Sequence, residues 1–188
     1  MPPTQNRELI ESEWKPLGMK AGWVPGSDSV WHAYDGNGTR FAVLEGILGD
    51  FTFFRAYFRE NEGELKLDWK ATSRYCSADF ADLKSAKGDG SEVRVWLSEV
   101  DFYTFSFPED KYHSVRIMSP LGDTTIWGYV PSGSDLEKEL LELFRPGLIT
   151  GESKSQIQAI VSLERSDGES LPDQWSITDI VRLDWMDE

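Results

Sequence analysis

His32 and His113 are the only imidazoles in the chain and Cys76 is its only thiol, so chemistry that needs an imidazole or a thiolate must come from these three, with carboxylates beside them. Asp68 with Glu64, and Glu99 with Asp101, are carboxylate pairs of the type that supplies a general acid and a general base. Asp68, His113 and Glu99 are therefore the candidate general bases. Against that, 33 acidic residues provide such pairs by abundance, and spacing along one strand does not build a pocket. His113 lies in YHSVRIM on the same alternating face as Val115 and Ile117, which predicts a packed, hydrogen-bonded histidine at a barrel rim.

The other nucleophile and metal patterns are incomplete. Two histidines and one cysteine do not make a structural zinc site, and no metal is expected. Asp35, Asn37 and Thr39 alternate like the start of a calcium loop, yet the twelfth position, which needs a bidentate carboxylate, is Gly46. A hairpin turn at DGNG, beside His32, explains the same residues. Cys76 follows Arg74 and Tyr75 but has no neighbouring imidazole in sequence to activate a thiolate, so the reading is an unreactive thiol. Ser132 and Ser134 flank Gly133 at a helix entry, where serine serves as a cap; no G-x-S-x-G is present. Neither GxxxxGK[ST] nor GxGxxG occurs, and no cofactor is expected.

Aromatic residues are the positive signal, at 13% of the chain with eight tryptophans. Trp96, Phe102, Trp127 and Tyr129 fall on predicted strands, Trp96 and Phe102 sharing a parity with Arg94 and Ser98. Such residues fill a core or a seam, or else form a face that stacks on sugars or anchors a partner protein. Net charge separates the possible ligands. Acidic residues exceed the 19 basic ones for a formal charge of −14, and no Lys/Arg stripe is present to displace counterions from phosphates, so nucleic acid is disfavoured. No apolar run approaches the ~18 residues of a membrane span. The start, MPPTQNRELIES, lacks the basic head and apolar core of an export signal, which makes the cytoplasm the default expectation. With one cysteine, no disulfide forms within the chain.

The elements that must position these residues follow from periodicity. Thr4, Leu9, Ile10, Trp14 and Gly18 predict a short first helix, and SVWHAYDGNGTRFAVLEG a hairpin. DFTFFRAYFR carries large side chains on both faces and predicts a central strand. In ELKLDWKATSRY, Leu65, Leu67 and Trp69 alternate with Glu64, Lys66 and Asp68, predicting a strand with Trp69 in the core. The same LDW returns in SITDIVRLDW, where Ile177, Val181, Leu183 and Trp185 would share the inner face. Between the two lies SADFADLKSAKGDGSE, a short helix or turn followed by a Gly/Asp/Ser loop.

EVRVWLSEVDFYTFSF reads as one long strand, bent or bulged near Glu99 to Asp101. YHSVRIM and TTIWGYV are the next strands, separated by SPLGD. SDLEKELLELFRPG opens on a Ser134/Glu137 capping box, carries an apolar stripe of Leu136, Leu140, Leu143 and Phe144, and is stopped by Pro146-Gly147. SQIQAIVSLER and QWSITDIVRLDW close the chain as strands.

The order from residue 91 onward, three strands, helix 134–145 and two strands, is that of an OB-like five-stranded barrel. The first half, residues 1–90, has the helix plus curved antiparallel sheet of cystatin-like and NTF2-like folds. The expected class is α+β, predominantly antiparallel β, with domains 1–90 and 91–188 packed as one compact unit.

The succession LDWKATSRY, EVRVW, FYTFSF and IWGYVPSGSDLEKELLELF resembles a loosely defined family of uncharacterised bacterial proteins. In that family an Asp-Trp strand precedes an Arg-Val strand, a Tyr-rich strand, a Gly-Tyr strand and a Leu-rich helix. The resemblance covers roughly residues 50–188, supports the fold reading and implies no activity or site residues. On these grounds the chain is expected to be a non-enzymatic binding or accessory module for another protein. The alternatives are a carbohydrate-binding module using exposed aromatics and an enzyme with an NTF2-like pocket.

Overall fold

The computed structural model of the chain describes residues 30–36, 39–47, 53–88, 90–145, 154–166, 170–183 and 185–186. The predicted first helix, Asn37 and Gly38 of the DGNG turn, the Pro146-Gly147 helix stop and Asp184 lie outside the described residues. The protein is mostly β and divides into two compact units, one taking the chain to Tyr75 and the other Cys76–Trp185.

The first unit is a four-stranded antiparallel sheet in chain order, β1 (Val30–Gly36), β2 (Thr39–Ile47), β3 (Phe53–Asn61) and β4 (Glu64–Asp68). Gly36 pairs directly with Thr39, as a tight hairpin requires. As expected of a central strand, β3 buries the successive residues Ala56 and Tyr57, which point to opposite faces. Leu44, Phe54 and Ala56 form an apolar cluster in this unit, with Phe58 packed against it.

β4 departs from the sequence reading. It stops at Asp68, and Trp69 opens a short helix, α1 (Trp69–Ser73), because the Asp68 carboxylate accepts the Ala71 N–H at 3.1 Å and caps that turn. Trp69 is therefore a half-buried helical residue beside Tyr75, with ring centroids 5.8 Å apart, and not a core residue of a strand. Leu65 and Leu67 are exposed. Alternation alone predicted a buried face, but the only strand paired with β4 among the described residues is β3.

The second unit begins with α2 (Phe80–Lys84), capped by Asp79, and continues with β5 (Val93–Glu99), β6 (Tyr112–Met118), β7 (Thr125–Pro131), α3 (Asp135–Phe144), β8 (Ile157–Glu164) and β9 (Gln174–Leu183). The five strands close into a barrel in the order β5-β6-β7-β9-β8; all pairs are antiparallel except β7 with β9. Val93, Val95 and Leu97 point inward from β5, meeting Val115, Ile117, Ile126 and Trp175, all buried. Segment 76–90, grouped with the first half in the sequence reading, adds Phe80 and Leu83 to this core. The Trp175 indole N–H donates to the Leu83 carbonyl at 3.0 Å.

α3 forms as its capping box dictates. Ser134 accepts the Glu137 N–H at 3.1 Å, and the Glu137 carboxylate reaches back to the Gly133 N–H at 2.6 Å. Its stripe meets the barrel, with Leu140 and Phe144 buried and Leu136 and Leu143 partly so. Two glycines are fixed by close approach. A Cβ on Gly128 would lie 2.6 Å from Ile117 Cδ1, and one on Gly90 would lie 2.5 Å from the Leu163 carbonyl oxygen.

Two expectations for the barrel strands change. β5 ends at Glu99, so VDFYTFSF is a loop and not the far half of a bulged strand. The irregularities lie instead on the β8/β9 ladder: Leu163 pairs with Ile177, Ser162 with Asp179, Val161 with Ile180 and Ile160 with Arg182. Thr178 and Val181 are skipped, which returns Ile180 to the inner face with Ile177 and leaves Val181 exposed.

Candidate functional site

His113 and Glu99 do come together, Nε2 to Oε1 at 3.8 Å, where β5 ends and β6 begins. The His113 Nε2 is sealed from solvent and has no hydrogen-bond partner, a poor position from which to take a proton from a substrate. Asp68 belongs to the sheet unit, where its carboxylate caps α1. Burial pushes the Cys76 thiol up to about 11, and its sulfur donates to the Arg94 carbonyl at 3.6 Å, so it is protonated at neutral pH. Among the described residues no three His, Cys, Asp or Glu side chains gather into a metal-holding group. Among them, too, no helix is long and apolar enough to cross a membrane.

The sheet unit has a polar constellation of its own on the face opposite Leu44 and Ala56. Glu45 on β2 pairs with Arg55 on β3 and lies 3.6 Å from His32 on β1; Arg55 in turn donates toward the Tyr57 hydroxyl at 3.5 Å. The Glu45 carboxylate thus links an ion pair with Arg55 to the imidazole of His32 across three strands.

The four aromatic candidates are committed to other aromatics of the chain. Trp96 lies on the outer side of β5 with Arg94 and Ser98, packs edge to face on Trp185 at 5.2 Å, and donates its indole N–H to the Pro120 carbonyl at 3.4 Å. Phe102 stacks on Trp127 at 4.2 Å, and the buried Tyr129 stacks on Phe107 at 3.9 Å with the rings within 7° of parallel. Burial raises the Tyr129 phenol to about 12, the Gln174 amide partly offsetting the effect.

Phe102 and Phe107 belong to the β5–β6 loop, 100–111, so this loop covers the outer side of β7 with its own rings. Polar contacts hold it there. Ser114 accepts the Phe102 N–H at 3.1 Å and donates to the Val100 carbonyl at 2.5 Å. Thr104 and Phe107 exchange both backbone hydrogen bonds at 3.1 Å, leaving Phe105 and Ser106 at the tip.

Gln174, with no exposed surface, ties this loop to the one before β9. Its amide nitrogen donates to Thr104 at 3.0 Å and to Tyr129 at 2.9 Å, and its oxygen accepts the Leu171 N–H at 2.9 Å. Arg165 braces the second loop by donating to the carbonyls of Leu171, Pro172 and Gln174. Phe105 is fully exposed at 101% of its reference area, although its neighbours Phe102 and Phe107 pack inward.

Reading FYTFSF as a strand hid Phe105, because alternation gave it no distinct role. The available signal was the interruption of apolar residues by Asp101, Thr104 and Ser106 before Pro108. Gln174 and the buried Arg94, which donates to the Trp185 carbonyl and to Glu92, were also missed, since nothing in a sequence marks which polar residue will be enclosed. No protein-family model, no curated protein sequence and no solved structure matches this chain.

Proposed function

We propose that the protein is a non-enzymatic binding module whose barrel is OB-like and whose partner is another protein. The OB-like reading is supported by the strand order β5-β6-β7-β9-β8, the parallel β7/β9 pair and the position of α3 between the third and fourth barrel strands. The four-stranded antiparallel order of the first unit is compatible with a cystatin-like or NTF2-like sheet.

Ligands of OB barrels use the face of the second and third strands and the loops beside it. In this chain Phe102 and Phe107 already occupy the aromatic positions of that face, which argues against a bare platform for sugars or bases. The net charge of −14 also opposes a phosphate backbone. The observation that carries the protein-binding reading is Phe105, a wholly exposed ring at the tip of a loop held by partly buried hydrogen bonds. The test is a side-by-side screen of the purified chain on a glycan array and against proteins of the producing cell. Saturable protein binding without glycan binding is expected, and saturable glycan binding that quenches tryptophan fluorescence would overturn the reading.

A further inference from the structure

We infer that Phe105 is the anchor of a docking surface whose partner offers an aromatic-sized apolar pocket rimmed by lysine or arginine. The inference rests on the protein-binding reading and specifies where and to what the module binds.

Its first support is mechanical. The backbone pair between Thr104 and Phe107 makes a narrow turn with Phe105 at the apex, and each side of that turn is fixed below it. Thr104 is bonded to the enclosed Gln174, and the Phe107 ring is buried against Tyr129. Docking therefore orders little backbone, and most of the ring's transfer from water is available as affinity. Gln174 also holds the Leu171 N–H, so the loop that carries Leu171, itself 50% exposed, is stapled to the same network. Phe105 is the exposed aromatic knob, and Leu171 is a second exposed apolar side chain on a loop tied to the same Gln174.

The second support is charge. Within the loop, Asp101, Glu109 and Asp110 are exposed against one ammonium, Lys111, in a chain of net charge −14. Exposed carboxylates on the loop that carries Phe105 favour a basic partner surface and accelerate encounter in a salt-dependent way.

The experiment uses the full chain with the photo-crosslinker p-benzoylphenylalanine at position 105, and a control with it at position 121. Leu121 is also exposed, at 70%, but lies in the β6–β7 turn. Each is irradiated in lysate of the producing cell at low and high salt, and the attachment peptide is sequenced. The expected result is an adduct from position 105 only, to a peptide with apolar residues flanked by Lys or Arg, with yield falling at high salt. The identified partner, purified, should bind Phe105→Ala at least about tenfold more weakly than the parent and Leu121→Ala equally well.

No adduct from position 105, an acidic attachment peptide, or full affinity of Phe105→Ala would each overturn the inference. If the partner crosslinks only through another part of the barrel, the binding-module reading survives and the Phe105 assignment does not. If no protein is captured and a glycan is, both fall.

Discussion

The two units treat the same residue pattern in opposite ways. LKLDW ends β4, which among the described residues pairs only with β3; Leu65 and Leu67 are exposed there, and Trp69 passes into a capped helical turn. VRLDW ends β9 of a closed barrel, where Trp185 is 2% exposed, donates its indole N–H to the Val95 carbonyl at 3.1 Å and receives the Arg94 guanidinium on its own carbonyl. Cover makes the difference. Trp185 lies just past β9 and packs on the outer side of β5 against Arg94 and Trp96, so it is not one of the inner-face residues that alternation along VRLDW predicted, yet it is enclosed. Among the described residues no such layer lies over the leucines of β4, and a strand side chain is buried only where another layer covers it.

The largest expected effect lies in the contrast between the tryptophans. Trp185→Ala should destabilise the barrel by about 3–5 kcal/mol, as a large-to-small change in a packed and hydrogen-bonded site, whereas Trp69→Ala should cost less than half as much. Urea midpoints of both variants measure this, and equal losses would mean that the cover over Trp185 does not distinguish the two ends.

Overpacking inside the barrel comes next. Gly128→Ala sets a methyl against Ile117 and Ile177 and should cost about 1–3 kcal/mol. Gly63→Ala meets no atom within 4 Å, but its φ of +81° adds backbone strain, so its loss has a different origin. Crystallography of the Gly128 variant should show the two isoleucines displaced.

Alkaline pH probes the same closed unit. Below its ordinary value of 9.0 the Cys76 thiol is neutral in folded and unfolded chains alike, and the stability it permits is fully present. Between 9.0 and about 11 the unfolded chain loses its proton first, so stability falls as pH rises through that window. Tyr129 extends the decline from 10.0 to about 12. Denaturant titrations across these pH values should find a plateau and then a fall, and Cys76→Ala should remove the earlier part of it.

The cap on α1 is smaller. Asp68→Ala removes the acceptor of the Ala71 N–H and should cost about 1 kcal/mol, with Asp68→Asn retaining most of the stability. A loss well above that would give Asp68 a buried role that its position does not suggest. Phe105→Ala should be the mildest of all, within about 0.5 kcal/mol of the parent in a urea titration, because its side chain packs on nothing.

Legibility followed the range of the interaction that decides each feature. α3 was readable to within a residue of each end, because its cap, stripe and charges are all local. Strands β6 and β7 were readable from alternation between turn signals. The β9 faces were not, since Thr178 and Val181 look like ordinary strand residues until β8 sets the register. At the candidate site, the sequence drew attention to Trp96, Phe102, Trp127 and Tyr129 but not to what lies against them.

By itself, then, the sequence determined the acidic composition, the element order of the second unit and the local caps, because charge, periodicity and capping act within a few residues. Only the tertiary structure decided that the five strands close, that β4 yields to a helix at Asp68, and that Phe105 is the fully exposed aromatic of its loop. Those outcomes depend on which surfaces remain to be covered once distant strands have paired, and no stretch of sequence contains that information locally.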